Sequence, residues 1–376
     1  MKFYFVVFLT FLFQIALKGN ILLASLYGLH LHASPFMLGG IIAAGSLFPM
    51  LLASFAGRLS DRLPLNLLLA IGMIGSGLSL LTIYLFNNSL IALLIIQLAF
   101  GLFQIITVVS SQNLVGVLST EKMRTKNYAS YTLSVSFANF FGPLLVGLLI
   151  DLSSYSYVYL LLGGISILPG VIFLFMRLQA SFNKKATAVE ISFYELLVHP
   201  DLRVVFVTSG VILTAVGLFE FYFPIYGNTI GLSASIIGTL LSINAVAFII
   251  SRLLMNKLQR HFSPEQIIGG CLIIAGSAFF LLPFMTAIPL LAVISFIMGI
   301  GLGCCQPLSI VMAYNNAPAG HTGEVLGIRL TVNKAVQFAV PIIFGSINFL
   351  GFFPIFWMNT LLLLFSGKSL LKDNSK

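Results

Sequence analysis

The stretch Gly57-Arg58-Leu59-Ser60-Asp61-Arg62-Leu63-Pro64 is a short charged segment between two long apolar runs. Apolar runs of this length are typical of membrane spans, so the charged connector is predicted to be a tight loop at the bilayer surface. The whole chain has a similar character, because 59% of its residues are hydrophobic and only 8% are charged. A soluble domain cannot bury that much apolar surface. The sequence therefore predicts an integral membrane protein.

The 376 residues have room for about twelve transmembrane helices of ~20 residues each, joined by short loops. One long polar segment, 179–200, divides the chain, so we predict an all-α fold with two pseudo-symmetric six-helix bundles, 1–178 and 201–376, joined by this cytoplasmic linker. The first apolar run lacks a small-residue cleavage pattern and is interpreted as a span. The predicted spans lie near residues 3–26, 35–56, 65–86, 89–117, 128–150, 157–177, 203–227, 235–255, 265–285, 287–314, 324–346 and 352–366.

The positions of the basic residues predict the orientation. Lys and Arg fall in the loops after every second span, and the opposite loops contain neither. Because basic residues of short loops stay on the cytoplasmic side, both termini are predicted to be cytoplasmic. The net charge of +9 thus belongs to membrane loops, which argues against a nucleic-acid partner. Cys271, Cys304 and Cys305 fall within predicted spans and indicate neither a disulfide framework nor a metal site.

The two halves of the chain resemble each other. Ser34–Gly39 aligns without gaps with Ser233–Gly238, and the same register sets Gly57–Arg62 opposite Asn256–His261. The second copy keeps the Leu and the basic residues but has no Asp. Weak similarity between parallel halves is typical of transporters built from six plus six helices.

The opening stretch also resembles the loop signature of the major facilitator superfamily. That signature has a Gly, a Leu, a small residue, an Asp and an Arg in this order, then a Gly, two basic residues and a Leu. The matching residues are Gly57, Leu59, Ser60, Asp61, Arg62 and Leu67, and the departures are Pro64, Leu65 and Asn66. The resemblance implies a monomeric secondary transporter in a bacterial inner membrane, working by alternating access.

Two further segments concern the subtype within this family. Ala138–Gly147 in span five resembles the antiporter signature around Gly142 and Pro143, with Val146 as its one departure. Drug and proton antiporters of the family usually carry an Arg in span four, four residues before a Gly. Gln97 stands at that position, so the resemblance to the drug:proton antiporter type leaves the proton route open.

Polar residues inside the spans form the candidate site. In span four they recur at steps of four and three, which places them on one helical stripe that must face protein or water. Such residues either line a cavity or hold helices together, and the sequence leaves both interpretations open. The substrate and coupling candidates are Gln14, Lys18, Gln97, Gln104, Asn139, Glu220, Gln306, Asn333, Lys334 and Gln337. The candidates for a conformational gate are Gly57, Asp61, Arg62, Gly142, Pro143, Glu324 and Arg329.

Charged residues at mid-depth are costly in a membrane and mark functional positions. Glu220 is the only acidic residue in the interior of a predicted span, because the others lie in loops or at span ends, so we hypothesise that it takes up a proton or holds Lys18. A static ion pair is the alternative. Lys18, Arg329 and Lys334 together give excess positive charge, which suggests an anionic or zwitterionic substrate.

The sequence thus predicts a transporter of a small organic solute, with proton-coupled efflux as the first interpretation. Uptake of an organic anion is the alternative, and a membrane receptor or enzyme is the alternative of another class. No Gly-rich phosphate-binding pattern is present, so we expect no cofactor and the proton motive force as the energy source. The five His residues are spread over four loops, which argues against an enzyme.

Overall fold

The computed structural model describes residues 2–86, 89–119, 121–176, 199–317, 322–347 and 351–373. These ranges are helical, with short connections and no strand. In a bilayer the backbone N–H and C=O groups must pair within the protein, and a helix pairs them within one apolar segment. The helices are α1 Lys2–His30, α2 Pro35–Arg62, α3 Leu65–Leu81, α4 Leu90–Val117, α5 Glu121–Leu152, α6 Tyr155–Phe175, α7 Pro200–Thr229, α8 Ala234–Leu258, α9 Pro264–Leu281, α10 Ile288–Gly303, α11 Cys305–Asn315, α12 Thr322–Ser346 and α13 Phe352–Asp373.

Eleven segments of the described chain are long and apolar enough to cross a membrane. The remaining predicted span is α12, a helix of 25 residues. Its interior contains Arg329, Asn333, Lys334 and Gln337, which make it less apolar than the others. The predicted all-α membrane fold is confirmed, and α12 carries five of the candidate residues, namely Glu324, Arg329, Asn333, Lys334 and Gln337.

Serine residues begin several helices. Ser34 caps α2 by accepting a hydrogen bond from the N–H of Met37 at 3.3 Å, and Ser233 accepts one from Ile236 at 3.4 Å at the start of α8. These serines are equivalent in the internal repeat. Short 3-10 turns also follow both α3 and α9, at Thr82–Tyr84 and Leu282–Phe284. The repeated sequence therefore produces repeated local structure.

The prediction that Gly57–Pro64 is a loop is wrong. Helix α2 continues through Arg62, and only Leu63 and Pro64 connect it to α3. The helix continues because the Arg and Leu residues of this stretch have high helix propensity. Within it, the Ser60 hydroxyl donates a hydrogen bond to the Gly57 carbonyl at 2.7 Å. It ends where a residue preceding proline disfavours the helical conformation, and Leu63 is extended, with φ −108° and ψ 156°.

The tenth predicted span is interrupted. Its residues form two helices, α10 and α11, with Cys304 between them. Pro307 has no N–H to donate to the carbonyl of Gly303, and its ring crowds that carbonyl, which breaks the helical ladder at this point. The freed Gly303 carbonyl accepts a hydrogen bond from Nε of Arg252 at 3.4 Å.

The described residues form two compact units. One contains those of Met1–Lys184 with Phe223–Ser242, and the other those of Lys185–Tyr222 with Ile243–Lys376. In the first, α3 and α6 approach closely at Gly77 and Gly163, where a Cβ on Gly77 would lie 2.6 Å from the Gly163 carbonyl oxygen. The core of this unit comes from α1, α3, α4 and α6 and includes Val6, Leu9, Phe13, Leu65, Leu69, Ala70, Met73, Leu114 and Phe173.

The second unit has a similar helix contact. Here α9 and α13 approach at Gly269 and Gly367, where a Cβ on either glycine would lie within 2.9 Å of the other's carbonyl oxygen. Aromatic rings pack nearby, with Phe356 6.0 Å from Tyr222 and 6.3 Å from Phe279 between ring centroids. The closely packed helix pair of the first half therefore has a counterpart in the second.

Candidate functional site

In the first unit, an amide pair joins α1 to α4. Asn20 donates to Oε1 of Gln97 at 3.0 Å, and Gln97 donates back to Oδ1 of Asn20 at 3.2 Å. Both side chains are buried. Two buried amides that exchange both hydrogen bonds are satisfied without charge, which is what an apolar environment requires. Gln97, the residue found where antiporters carry an Arg, is thus held against the first helix.

The same face of α4 packs against α2. A Cβ on Gly101 would come within 2.6 Å of the Gly45 carbonyl oxygen, so the two backbones touch here. Gln104 donates to that same carbonyl at 2.7 Å. This hydrogen bond joins α4 to the backbone of α2, so Gln104 stabilises the contact between the two helices. The polar stripe predicted on α4 therefore meets protein at both glutamines.

Lys18 and Gln14 lie on α1. Gln14 is buried and Lys18 is half-buried. A Cβ on Gly142 would lie 3.0 Å from Cβ of Lys18, so α5 passes directly beside this lysine. One turn before Pro143 of α5, Oδ1 of Asn139 is buried with no hydrogen-bond partner among the described residues. The structure thus brings together Lys18 and Gly142, two residues that the sequence places in different predicted roles.

Pro143 in α5 faces the beginning of α8. Gly238 packs directly on the Pro143 carbonyl, and a Cβ on Gly147 would lie 2.5 Å from the carbonyl oxygen of Ala234. Ser242 donates to the Phe140 carbonyl at 2.8 Å, a group one turn before the proline. The segment that resembles the antiporter signature is therefore a close helix contact that depends on glycine.

In the second unit, polar residues of α12 contact α7 and α11. The Ser209 hydroxyl of α7 donates to Oδ1 of Asn333 at 2.6 Å, and both residues are buried. Nζ of Lys334 donates to Oε1 of Gln337 at 3.0 Å on the same helix. These residues lie within two turns of one another, so α12 presents a continuous polar segment inside an apolar bundle.

Arg329 extends this segment by one more turn. Its side chain is only 7% exposed, and Nη2 donates to the Ser309 hydroxyl at 2.6 Å and to the Gln306 carbonyl at 3.4 Å. Both acceptors belong to the first turns of α11, directly after the break at Cys304. Nε has no partner among the described residues. The guanidinium is therefore held by neutral groups.

The other candidates are placed as follows. Glu220 is half-buried in α7, Gly57 is half-buried within α2, and Arg62 is exposed at its last position. The side chains of Asp61 and Glu324 lie outside the described part of the structure. Whether the candidates line a cavity stays a prediction, as does the pairing of Lys18 with Glu220.

Several polar residues of these networks are not predicted from the sequence. Asn20, Ser209 and Ser309 are partners of predicted residues but were not themselves predicted. Arg252 lies inside predicted span eight, and a full count of charges within spans would have included it. Asn20 and the serines carry no such signal, because single neutral polar residues are frequent in membrane helices.

The described residues thus form a long α-helical membrane protein with buried polar and cationic side chains. The chain belongs to the Major Facilitator Superfamily, whose family model matches residues 6–341 and 255–370. It is a multi-pass membrane protein and a secondary transporter of small solutes, and not an enzyme. No functionally curated protein matches the sequence.

Solved structures of transporters share the fold. A bacterial homolog of the human lysosomal transporter Spinster, in an inward-facing and unoccupied conformation, aligns with a TM-score of 0.80 and 12% identity, over 99% of this chain and 97% of that one. A POT family transporter in complex with a thioalcohol-conjugated peptide aligns with a TM-score of 0.81 and 13% identity, over 100% and 96%. At these identities the likeness concerns the fold alone.

Proposed function

We propose that this protein exports a small organic solute across a bacterial inner membrane by alternating access, driven by protons. The observation that carries the proposal is the polar segment of α12, where Arg329, Asn333 and Lys334 lie inside a membrane bundle. Charged side chains inside a membrane mark substrate or ion pathways. We also propose the division into bundles 1–178 and 201–376 with the linker 179–200, both termini in the cytoplasm, a monomer, and no cofactor.

Proton coupling is assigned to Glu220. It is the one acidic residue in the interior of a predicted span, and the structure describes it as half-buried in α7. A membrane carboxyl that gains and loses a proton changes the charge of its surroundings, which can bias one conformation over another. Lys18, beside Gly142 of α5, is its proposed partner.

Export is supported by the α5 segment. The residues that resemble the antiporter signature make the close contact with α8 at Gly147 and Gly238. Backbones that touch without intervening side chains leave no path for solute or protons between these two helices. A tight seal suits any proton-coupled carrier, and it is the resemblance of this segment to the antiporter signature that favours export.

The experiment uses purified protein. A thermal-shift screen with a broad set of small organic compounds identifies ligands, and each ligand is then tested for counterflow and for transport driven by an imposed pH gradient in proteoliposomes. We expect pH-driven transport that Glu220→Gln abolishes while counterflow persists. Undiminished pH-driven transport by Glu220→Gln would remove this residue from the mechanism. The matched control is Glu265→Gln, at the start of α9.

Uptake of an organic anion is the second candidate. It is favoured by the buried cation Arg329, which an anionic solute would neutralise. The two candidates differ in the direction of transport relative to the pH gradient. Uptake of a bound compound into vesicles that are acidic outside favours import. Uptake into vesicles that are acidic inside, in exchange for protons, favours export.

A further inference from the structure

Arg329 is a buried cation whose charge the described structure leaves uncompensated. Its side chain is 7% exposed, and the two groups it contacts, the Ser309 hydroxyl and the Gln306 carbonyl, carry no charge. Within the described residues, no carboxylate lies within ion-pair distance of it. Burying an ion away from water is expensive unless an opposite charge and hydrogen bonds replace the lost hydration.

The surroundings add positive charge. On the same helix Lys334 donates to Gln337, a neutral amide. On α8 Arg252 directs Nε to the Gly303 carbonyl, at the other side of the helix break. Arg329 of α12 and Arg252 of α8 thus lie at the two sides of the Cys304 break, because Arg329 contacts the first turns of α11 and Arg252 contacts Gly303, the last residue of α10.

The geometry of the guanidinium indicates which anion fits. Its planar array of donors matches two oxygens of one carboxylate or phosphate, and such paired hydrogen bonds are stronger than neutral ones. Nε is buried and has no partner among the described residues, so a donor remains beside the Nη2 group that contacts Ser309. A halide, as a single atom, cannot match this array with two separate acceptors.

We propose that Arg329 and Ser309 form an oxyanion-binding subsite, which receives a carboxylate or phosphate group of the transported solute. This inference rests on the proposed transport function, but it holds for export and for import. The neutral contacts to Ser309 and Gln306 hold the guanidinium in the unliganded state. When the solute binds, its oxyanion takes the free Nε–H and neutralises the charge.

The test compares binding with stability. The melting temperature of the purified protein is measured at constant ionic strength with succinate, inorganic phosphate, chloride or the uncharged analogue succinamide. The affinity for each compound is measured by the fluorescence of Trp357, the single tryptophan. We expect stabilisation by succinate or phosphate only, and which of these two binds tells carboxylate from phosphate. Arg329→Gln weakens this binding at least about tenfold, as does Arg329→Lys, which keeps charge but loses the planar array. Arg260→Gln, which removes an exposed charge, leaves binding unchanged.

A second measurement separates a binding role from a structural one. If the charge is uncompensated, unliganded Arg329→Gln melts at the same temperature as the natural protein or higher. If Glu324, five residues earlier on α12, already neutralises Arg329, then Glu324→Gln and Arg329→Gln each lower that temperature and the double variant loses little more. That result overturns the subsite. Oxyanion binding that Arg329→Gln does not weaken overturns it as well.

Failure of the transport proposal gives a different pattern. Binding of succinate or phosphate that depends on Arg329, without transport of any bound compound in vesicles, refutes transport and keeps the subsite. Transport that persists in Arg329→Gln refutes the subsite and keeps the transporter.

Discussion

The carboxylate of Asp151, at the end of α5, accepts hydrogen bonds from the backbone N–H groups of Ala234 at 3.2 Å and Ser235 at 2.9 Å, at the start of α8. The next N–H, that of Ile236, donates a hydrogen bond to the Ser233 hydroxyl. The first N–H groups of a helix have no partner within it and carry partial positive charge. Asp151 therefore acts as a cap for a helix that lies more than eighty positions later in the chain.

Asp151→Ala should destabilise the α5–α8 junction. Loss of a capping oxygen costs about 1 kcal/mol, and the loss should be seen as a lower unfolding midpoint in mixed micelles. Asp151→Asn keeps one acceptor oxygen and should lose less. Ser153→Ala, which removes only a hydrogen bond to the Leu149 carbonyl of α5, is the control, and equal effects of the two alanine variants would contradict the capping role.

Gly238→Ala should impair the protein, because a Cβ at this position clashes with the Pro143 carbonyl. Backbone atoms cannot move aside as a flexible side chain can, so α5 and α8 must separate. We expect a lower unfolding midpoint and reduced transport.

The matched control is Gly270→Ala, whose added Cβ meets no atom within 4 Å. Alanine favours helix over glycine by about 1 kcal/mol, so this variant should be as stable as the natural protein or more so. If both alanine variants behave alike, the close contact has no energetic role.

The Asn20–Gln97 pair should show coupling in a double-mutant cycle. Each single alanine variant leaves one buried amide unsatisfied, whereas the double variant removes both. We expect the double variant to lose less stability than the two single variants together, by about 1 kcal/mol, measured by unfolding in mixed micelles. Strict additivity would show that the two amides act independently.

Pro307→Ala should mend the break between α10 and α11. The new N–H can donate to the Gly303 carbonyl, and it then competes with Nε of Arg252 for this acceptor. We expect a protein of equal or higher unfolding midpoint with slower transport, because the break places Ser309 and the Gln306 carbonyl against Arg329.

Pro169→Ala, within the unbroken helix α6, is the control for removing a proline from a span. Transport at the natural rate by Pro307→Ala would show that the break is not needed.

Much of the architecture follows from the sequence. Helix positions are predictable because hydropathy is summed along one segment, and lipid permits little besides helix. The caps at Ser34 and Ser233 are local as well, since a cap bonds residues two or three positions away. The family is also readable from the sequence, because Gly57–Arg62 keeps the order of its signature.

Local propensity alone fails in two places. Gly57–Pro64 was predicted as a loop because charge was taken to end the helix, whereas the helix continues to the residue before proline. The break at Cys304 was not predicted, although Pro307 is its sequence signal. Both errors concern where a helix ends, which depends on single backbone hydrogen bonds more than on hydropathy.

The partners of the polar side chains are decided only by the tertiary structure. The sequence shows that Gln97 and Arg329 lie inside spans, but it does not show that Gln97 meets Asn20 or that Arg329 meets Ser309. Such contacts depend on the rotation of each helix about its axis and on its depth relative to its neighbours. Those quantities are set by side-chain packing over the whole bundle. The sequence by itself therefore determined the class of protein and the helices, and the packing of those helices decided which polar groups meet.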